Sequence, residues 1–310
     1  MAILKIPFLY NAESGENNWW RYLTTIAASW GIQIVFGLVL IMVLFVAWAS
    51  QKGIYAARLE ISSLQSNPLF IVVLTLAGFA LSYLFFYIFI RKVHNREFIS
   101  IINTKSKVRW GKILKGAVIW LSIVGILTII FYLIKPTSYE VTFNPTAFGV
   151  LLILSLITFP IQASFEEVFF RGYLMQGFGL LSKKPVIPIL ATALIFGLGH
   201  VANGTSITMD IFLLIDTIIV GIMLGTITLG ENGIETAIGI HIINNLYAVL
   251  VVSSPSGIFG NLPSILTTSS NPYTDLVFTT IAAVIAIIVI FWNKKDKLRD
   301  IFRWEDAEPN

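Results

Sequence analysis

The chain has 310 residues, 56% of them hydrophobic and 12% charged, with a formal net charge of +4 and no cysteine. A soluble domain carries about 25% charged residues, so this composition describes a membrane protein, and the small positive excess fits basic loops on one membrane face rather than nucleic-acid binding. Without cysteine, disulfides, thiolate nucleophiles and Cys-bound metals are excluded.

In chain order, Trp19 and Trp20 suit an interfacial segment ahead of the first apolar run. That run, about 27–49, is too long for the core of a cleavable leader and reads as a first membrane span. A second follows at about 69–90, entered through Asn67-Pro68 and closed by Arg91-Lys92. The third is about 116–134, and the fourth, from Ala147 to about Leu181, is too long for one simple crossing. Further spans are expected at about 186–203, 207–229, 234–253 and 276–292, with a short charged tail, partly disordered, from 294 to 310. The expected fold is thus all-α and polytopic, with about eight transmembrane helices. It divides into an N-terminal membrane region (1–140), a core of spans 4–7 (145–253), and a last span with its tail (276–310).

Loop charge supports this count. With the loop 91–115 taken as cytoplasmic, 17 Lys and Arg fall in cytoplasmic segments, Lys183 and Lys184 among them, and 3 fall outside. That bias predicts a cell-membrane protein with both termini cytoplasmic.

Charged groups inside lipid are costly and need partners or a polar cavity. Spans 1, 2, 3 and 8 carry almost none. Spans 4–7 hold Glu166, Glu167, Arg171, His200, Asp210, Asp216, Glu235 and His241, which predicts a polar cavity between them. Glu167 and Arg171 are four apart, share a helical face and can form a neutralised pair. Glu166 points about 100° away and has no obvious local partner. A desolvated carboxylate of that kind suits a general base. Phe196 and His200 share a face on span 5, as His241 and Asn245 do on span 7. Each of these pairs alone also reads as helix-to-helix hydrogen bonding. The spacing Gly221-x-x-x-Gly225 lets another backbone come close. The sequence assigns no role to Asp216. A depth estimate lets Glu166, His200 and His241 converge nearer the cytoplasmic side if the hairpin of spans 4 and 5 projects beyond the membrane.

Taken in order, Glu166-Glu167-x-x-x-Arg171, Phe196-x-x-x-His200 and His241-x-x-x-Asn245 resemble the three motifs of the CPBP family, which comprises CAAX-type prenyl endopeptidases and bacteriocin-processing or immunity proteins. The resemblance covers roughly residues 145–250. It implies glutamate-dependent intramembrane proteolysis of a membrane-associated, possibly prenylated, protein or peptide. Carried over, Glu166 activates water with help from His200, His241 and Asn245 stabilise the oxyanion, and Glu167, Arg171 and Phe196 support the site. The family is often labelled metalloprotease. The zinc-protease signature HExxH is missing, yet Glu166, His200 and His241 offer three N/O ligands for Zn²⁺. A metal-free site is equally consistent and is the reading preferred. Two rivals stand beside proteolysis. One is a non-proteolytic immunity or chaperone-like membrane protein. The other is an ion or solute transporter, against which the confinement of polar groups to one half of the chain argues.

Overall fold

In the computed structural model, the described residues are 6–182, 184–201, 203–204, 206–255, 257, 259–269 and 271–302. Lys183 and the last eight residues of the expected tail lie outside them. The fold is all-α, with the helices α1 (Trp19–Lys52), α2 (Ile54–Gln65), α3 (Pro68–Lys92), α4 (Trp110–Ile134), α5 (Pro145–Leu181), α6 (Val186–Leu198), α7 (Ile207–Glu231), α8 (Glu235–Leu250), α9 (Pro272–Phe291) and α10 (Lys295–Phe302).

Six of these, α1, α3, α4, α5, α7 and α9, are long and apolar enough to cross a membrane. The fifth and seventh expected spans are helices of 13 and 16 residues, below the roughly 20 that a simple crossing needs. α6 stops at Leu198, in a Gly197-Leu198-Gly199 sequence whose glycines weaken the helix. α8 ends where Val252 and Ser253 pair as a strand instead. The expected count of eight full spans therefore becomes six long helices and two short ones. The alternation of chain direction is kept nonetheless. α6 runs against α7, with Gly221 meeting Ala193 and Gly225 meeting Ile189, so the small-residue spacing serves this contact. α8 runs against α5, with His241 beside Glu167 and Asn245 beside Gln162.

Helix starts have a local cause. Asn67, Asn144 and Asn271 each precede a proline, and each side chain accepts backbone N–H groups of the first turn. Ser206 caps α7 in the same way. Such caps satisfy donors that have no partner within the helix, and proline at the first position loses nothing. Trp19 and Trp20 open α1 itself rather than lying ahead of it. Three elements were not foreseen. One is α2. Another is a small sheet of Tyr139–Val141, Leu266–Thr268 and Val252–Ser253, with the second strand central. The third is α10, which occupies part of the tail expected to be disordered.

The loop 91–115 gathers the chain's ends. Glu16 donates its N–H to the His94 carbonyl at 2.8 Å, and Asn11 Nδ2 donates to the carbonyls of Ser100 and Asn103. Glu231, at the foot of α7, pairs with both Lys112 and Lys294. Buried Glu235 pairs with Arg109 at 2.5 Å and accepts from Asn103. Glu235 thus belongs to this basic end and not to the polar interior where the sequence had placed it. Above it lies an aromatic cluster of Trp30, Phe79, Phe86, Phe165 and Phe169, with ring centroids about 5.4 to 6.1 Å apart. It packs α1 and α3 against α5.

Two predictions follow from this packing. A Cβ on Gly239 would overlap the Ile113 carbonyl where α8 crosses α4. Gly239→Ala is expected to lower the melting temperature in detergent, by an overpacking cost of about 1–3 kcal/mol. Gly149→Ala, which meets nothing within 4 Å, is the control and leaves it unchanged. The second concerns His94. It is fully buried, with Nδ1 at 2.8 Å from the Glu16 carbonyl and Nε2 at 2.7 Å from the Tyr173 hydroxyl. A neutral ring satisfies both contacts, donating to Glu16 and accepting from Tyr173. Burial, with the Arg96 and Arg21 cations nearby, holds this imidazole below its ordinary value. The unfolded chain therefore binds the proton first as pH falls. The stabilisation is complete above the ordinary value of about 6.5 and is lost as pH drops toward the folded-state value. Melting temperature measured against pH should fall below about 6.5, and part of that fall should be absent in His94→Gln.

Candidate active site

α5 carries the acidic part of the site. Its α-helical hydrogen bonding holds through Glu167, and the wider π-helical turns of Val168–Leu174 follow at once. Such turns inside helices are rare and often mark functional sites. Glu167 and Arg171 are both 0% exposed. Arg171 Nη1 donates to Glu167 Oε1 at 2.8 Å, so the expected i,i+4 pair forms. The guanidinium also lies over the Phe196 ring, 4.2 Å from its centroid, which adds a cation–π contact.

α8 supplies His241 from the facing side. Its Nδ1 lies 2.7 Å from Glu167 Oε1, which places the ring proton on Nδ1 as donor to the carboxylate. His241 Nε2 then faces Glu166 Oε2 at 3.4 Å. Glu167 is therefore not a support for Arg171 alone. It also fixes the orientation and tautomer of the imidazole.

Glu166 differs from its expectation in one respect. It has a local partner, because Gln162 Nε2 donates to Glu166 Oε1 at 2.9 Å. The Gln162 Oε1 in turn accepts from Asn245 Nδ2 at 2.7 Å. Asn245 Oδ1 accepts from Asn244, whose own Oδ1 accepts from Trp120 Nε1 at 3.2 Å. One continuous polar network thus runs from α4 through α8 to α5. Gln162 and Asn244 were missed. The four-residue step from Gln162 to Glu166 was a readable signal, whereas the link to Trp120 depends on which helices pack together. Glu166 Oε2 makes no hydrogen bond among the described residues.

His200 sits just beyond the end of α6. Its Nδ1 is 2.8 Å from the Phe196 carbonyl, and its ring centroid is 4.5 Å from that of Phe196. Phe196 also presents its edge to His241 at 5.9 Å, so this one ring touches Arg171, His200 and His241. With Nδ1 donating to a carbonyl, His200 keeps Nε2 as an acceptor. Glu166, His200, His241 and Asn245 all line one cavity of about 1300 Å³. Asp216 does not line it; it hydrogen-bonds Thr279 of α9. Asp210 accepts from the Gly204 N–H at 2.9 Å near the start of α7.

Among the described residues, no three His, Asp or Glu side chains are grouped closely enough to hold a metal ion. In this arrangement Glu166, His200 and His241 are not gathered as one three-ligand set.

Residues 146–247, which span the whole polar network of α5 and α8, match the family described as type II CAAX prenyl endopeptidase Rce1-like. The chain is also similar to the uncharacterized protein YyaK of Bacillus subtilis, with 28% identity over 287 residues, covering 91% of this chain and 95% of that protein. No solved structure matches it. Residues 146–247 thus match an Rce1-like domain of the CPBP family.

Proposed function

We propose that the protein is an intramembrane endopeptidase in which Glu166 activates water against a peptide bond of a membrane-associated protein or peptide. It is placed in the cell membrane, with the basic loop and both chain ends on the cytoplasmic side. The observation that carries this reading is the arrangement of two adjacent glutamates around one imidazole. Both carboxylates keep Oε2 without a hydrogen bond among the described residues, but Glu167 Oε1 takes Arg171 and His241 together, whereas Glu166 borders the cavity and accepts only from the Gln162 amide.

The steps follow from these positions. Glu166 takes a proton from water as the water oxygen attacks the scissile carbonyl, with His200 Nε2 holding the second water hydrogen. Charge develops on the carbonyl oxygen. The donors available to it are Asn245 Nδ2, which uses one hydrogen on Gln162 and has one left, and His241 Nε2 when that ring is protonated. If His241 takes that second proton from solvent before the attack, Glu167 stabilises the resulting imidazolium, as a carboxylate behind a catalytic histidine does. Glu166 then passes its proton to the departing nitrogen. The C–N bond breaks, leaving an amine and a carboxylic acid that gives up its proton to water. Gln162 fixes the Glu166 carboxylate so that the oxygen facing His241 is the one in play.

A membrane-associated substrate is favoured by the cavity walls. Next to the site they are apolar, with Trp30, Phe79, Phe170, Leu174, Phe178 and Ile195 contributing. The solute-pathway alternative fits the cavity poorly, because none of the described residues of the basic segments 6–22, 91–115, 231–240 or 292–302 lines it.

Cleavage of a membrane-anchored reporter peptide by purified protein tests the proposal. Glu166→Gln is expected to lower kcat by about 10²–10⁴-fold, the usual contribution of a general base, with the fold intact. Gln162→Leu is expected to lower kcat more than it raises KM, and Gln162→Glu to shift the pH profile of kcat. Turnover by Glu166→Gln at the wild-type rate would remove the assignment.

A further inference from the structure

Toward the basic end the cavity lining stops at Ile26, Leu174 and Phe178, and at the other end it reaches an exposed rim. None of the described residues of 6–22, 91–115, 231–240 or 292–302 lines it. Those segments instead form a plate under the site. Arg109, Asn103 and Glu235 join loop to α8, and Lys112, Glu231 and Lys294 join loop, α7 and the start of the tail. Buried Ile234 and Ile238 pack into the same layer. At the opposite end the lining includes Lys135, Ser138, Tyr139, Asn271, Thr274 and Asp275. Of these, Lys135, Asn271, Thr274 and Asp275 are exposed, so the rim meets solvent there.

The charge bias of the loops makes the plated end the cytoplasmic one. We propose that the chamber is filled from the outer face of the membrane, and that the substrate is an externally exposed peptide segment, such as part of an exported or membrane-anchored peptide, rather than a cytoplasmic C-terminal tail. The substrate half of this inference rests on the proteolytic reading above; the access half does not. The rim carries one cation and one anion amid hydroxyls and amides, which is a lining for backbone N–H and C=O groups rather than for a charged headgroup. His241 lies nine residues before the end of α8, which is about 14 Å at ~1.5 Å per residue. An extended peptide covers that depth with about four residues at ~3.4 Å each. The scissile bond therefore lies at least that far inside the segment that enters.

Because the chain has no cysteine, single cysteines report access cleanly. Ala248→Cys places a thiol on α8 in the chamber wall, Thr274→Cys one at the rim, and Ser106→Cys one on the basic loop. Thr279→Cys, also in the wall, replaces Ala248→Cys if that variant does not accumulate. The probe is a charged, membrane-impermeant methanethiosulfonate, applied to intact cells and to inverted vesicles holding the full chain. Ala248→Cys and Thr274→Cys are expected to react in intact cells and Ser106→Cys only in inverted vesicles. Reaction of Ala248→Cys in inverted vesicles alone would overturn the proposal. An impermeant quenched peptide of about ten residues, long enough to reach the site in extended form, is expected to be cleaved when added to intact cells, and modification of Ala248→Cys from outside should abolish that cleavage. Cleavage confined to inverted vesicles would overturn outer access while leaving the protease reading intact. Labelling from outside with no cleavage in either orientation would overturn the substrate assignment and the proteolytic reading, and leave the direction of access standing.

Discussion

A single carboxylate holds this membrane domain together at its polar centre. Glu167 is wholly buried and accepts from Arg171 on its own helix and from His241 on α8. A lone charge at such depth costs several kcal/mol, and removing one partner of a buried pair leaves the other uncompensated. Arg171 is therefore tolerated because of Glu167 and the Phe196 face, and Glu167 because of Arg171 and His241. The same contacts register α5 against α8. Gln162 then meets Asn245, and Glu166 meets the free edge of the imidazole. The reactive arrangement is a consequence of how the buried charge is satisfied.

Adjacent glutamates on a helix point about 100° apart, and here that angle separates two tasks. One carboxylate takes the cation and the imidazole on a single oxygen. The other is held at a single oxygen by a neutral amide and stays beside the cavity. The π-helical turns just after Glu167 fall where the helix changes from carrying the site to packing against the basic end. There Tyr173 and Gln176 reach His94 and Arg96, and the Gly172 backbone lies against Ile101. The N-terminal segment and the basic loop are thus tied to the same helix that carries the chemistry. The proposed proteolytic function depends on this link, since α5 is fixed at one end by the plate and in the middle by α8.

Much of this was legible in the sequence. The charge segregation placed the site among the later helices, and the four-residue steps gave the Glu167–Arg171 pair and the Phe196–His200 contact. Hydropathy gave the long helices, but it could not separate a crossing from a short buried helix. α8 is apolar because it packs inside the bundle, whereas α6 keeps Ile187, Leu190, Leu194 and Leu198 exposed on one face, and length alone sets both apart from full spans. Glu235 looked like an interior acid because it borders an apolar run. Its partners Arg109 and Asn103 are distant in sequence, so only the folded loop reveals that it staples the basic end. Gln162 was hidden for a different reason. A neutral amide in an apolar helix draws no attention until the carboxylate one turn later is asked what it bonds. The small sheet was invisible because its strands have two or three residues each, too few for an alternating pattern to show.

The claim that most needs a direct test is the division of labour between the two glutamates. It is decided by measuring melting temperature and peptide turnover on the same preparations of Glu166→Gln and Glu167→Gln. The account predicts that Glu166→Gln melts like the wild type and loses turnover, whereas Glu167→Gln loses stability because Arg171 is left buried without its counter-charge. A stable, inactive Glu167→Gln beside an active Glu166→Gln would contradict it and move the base to Glu167.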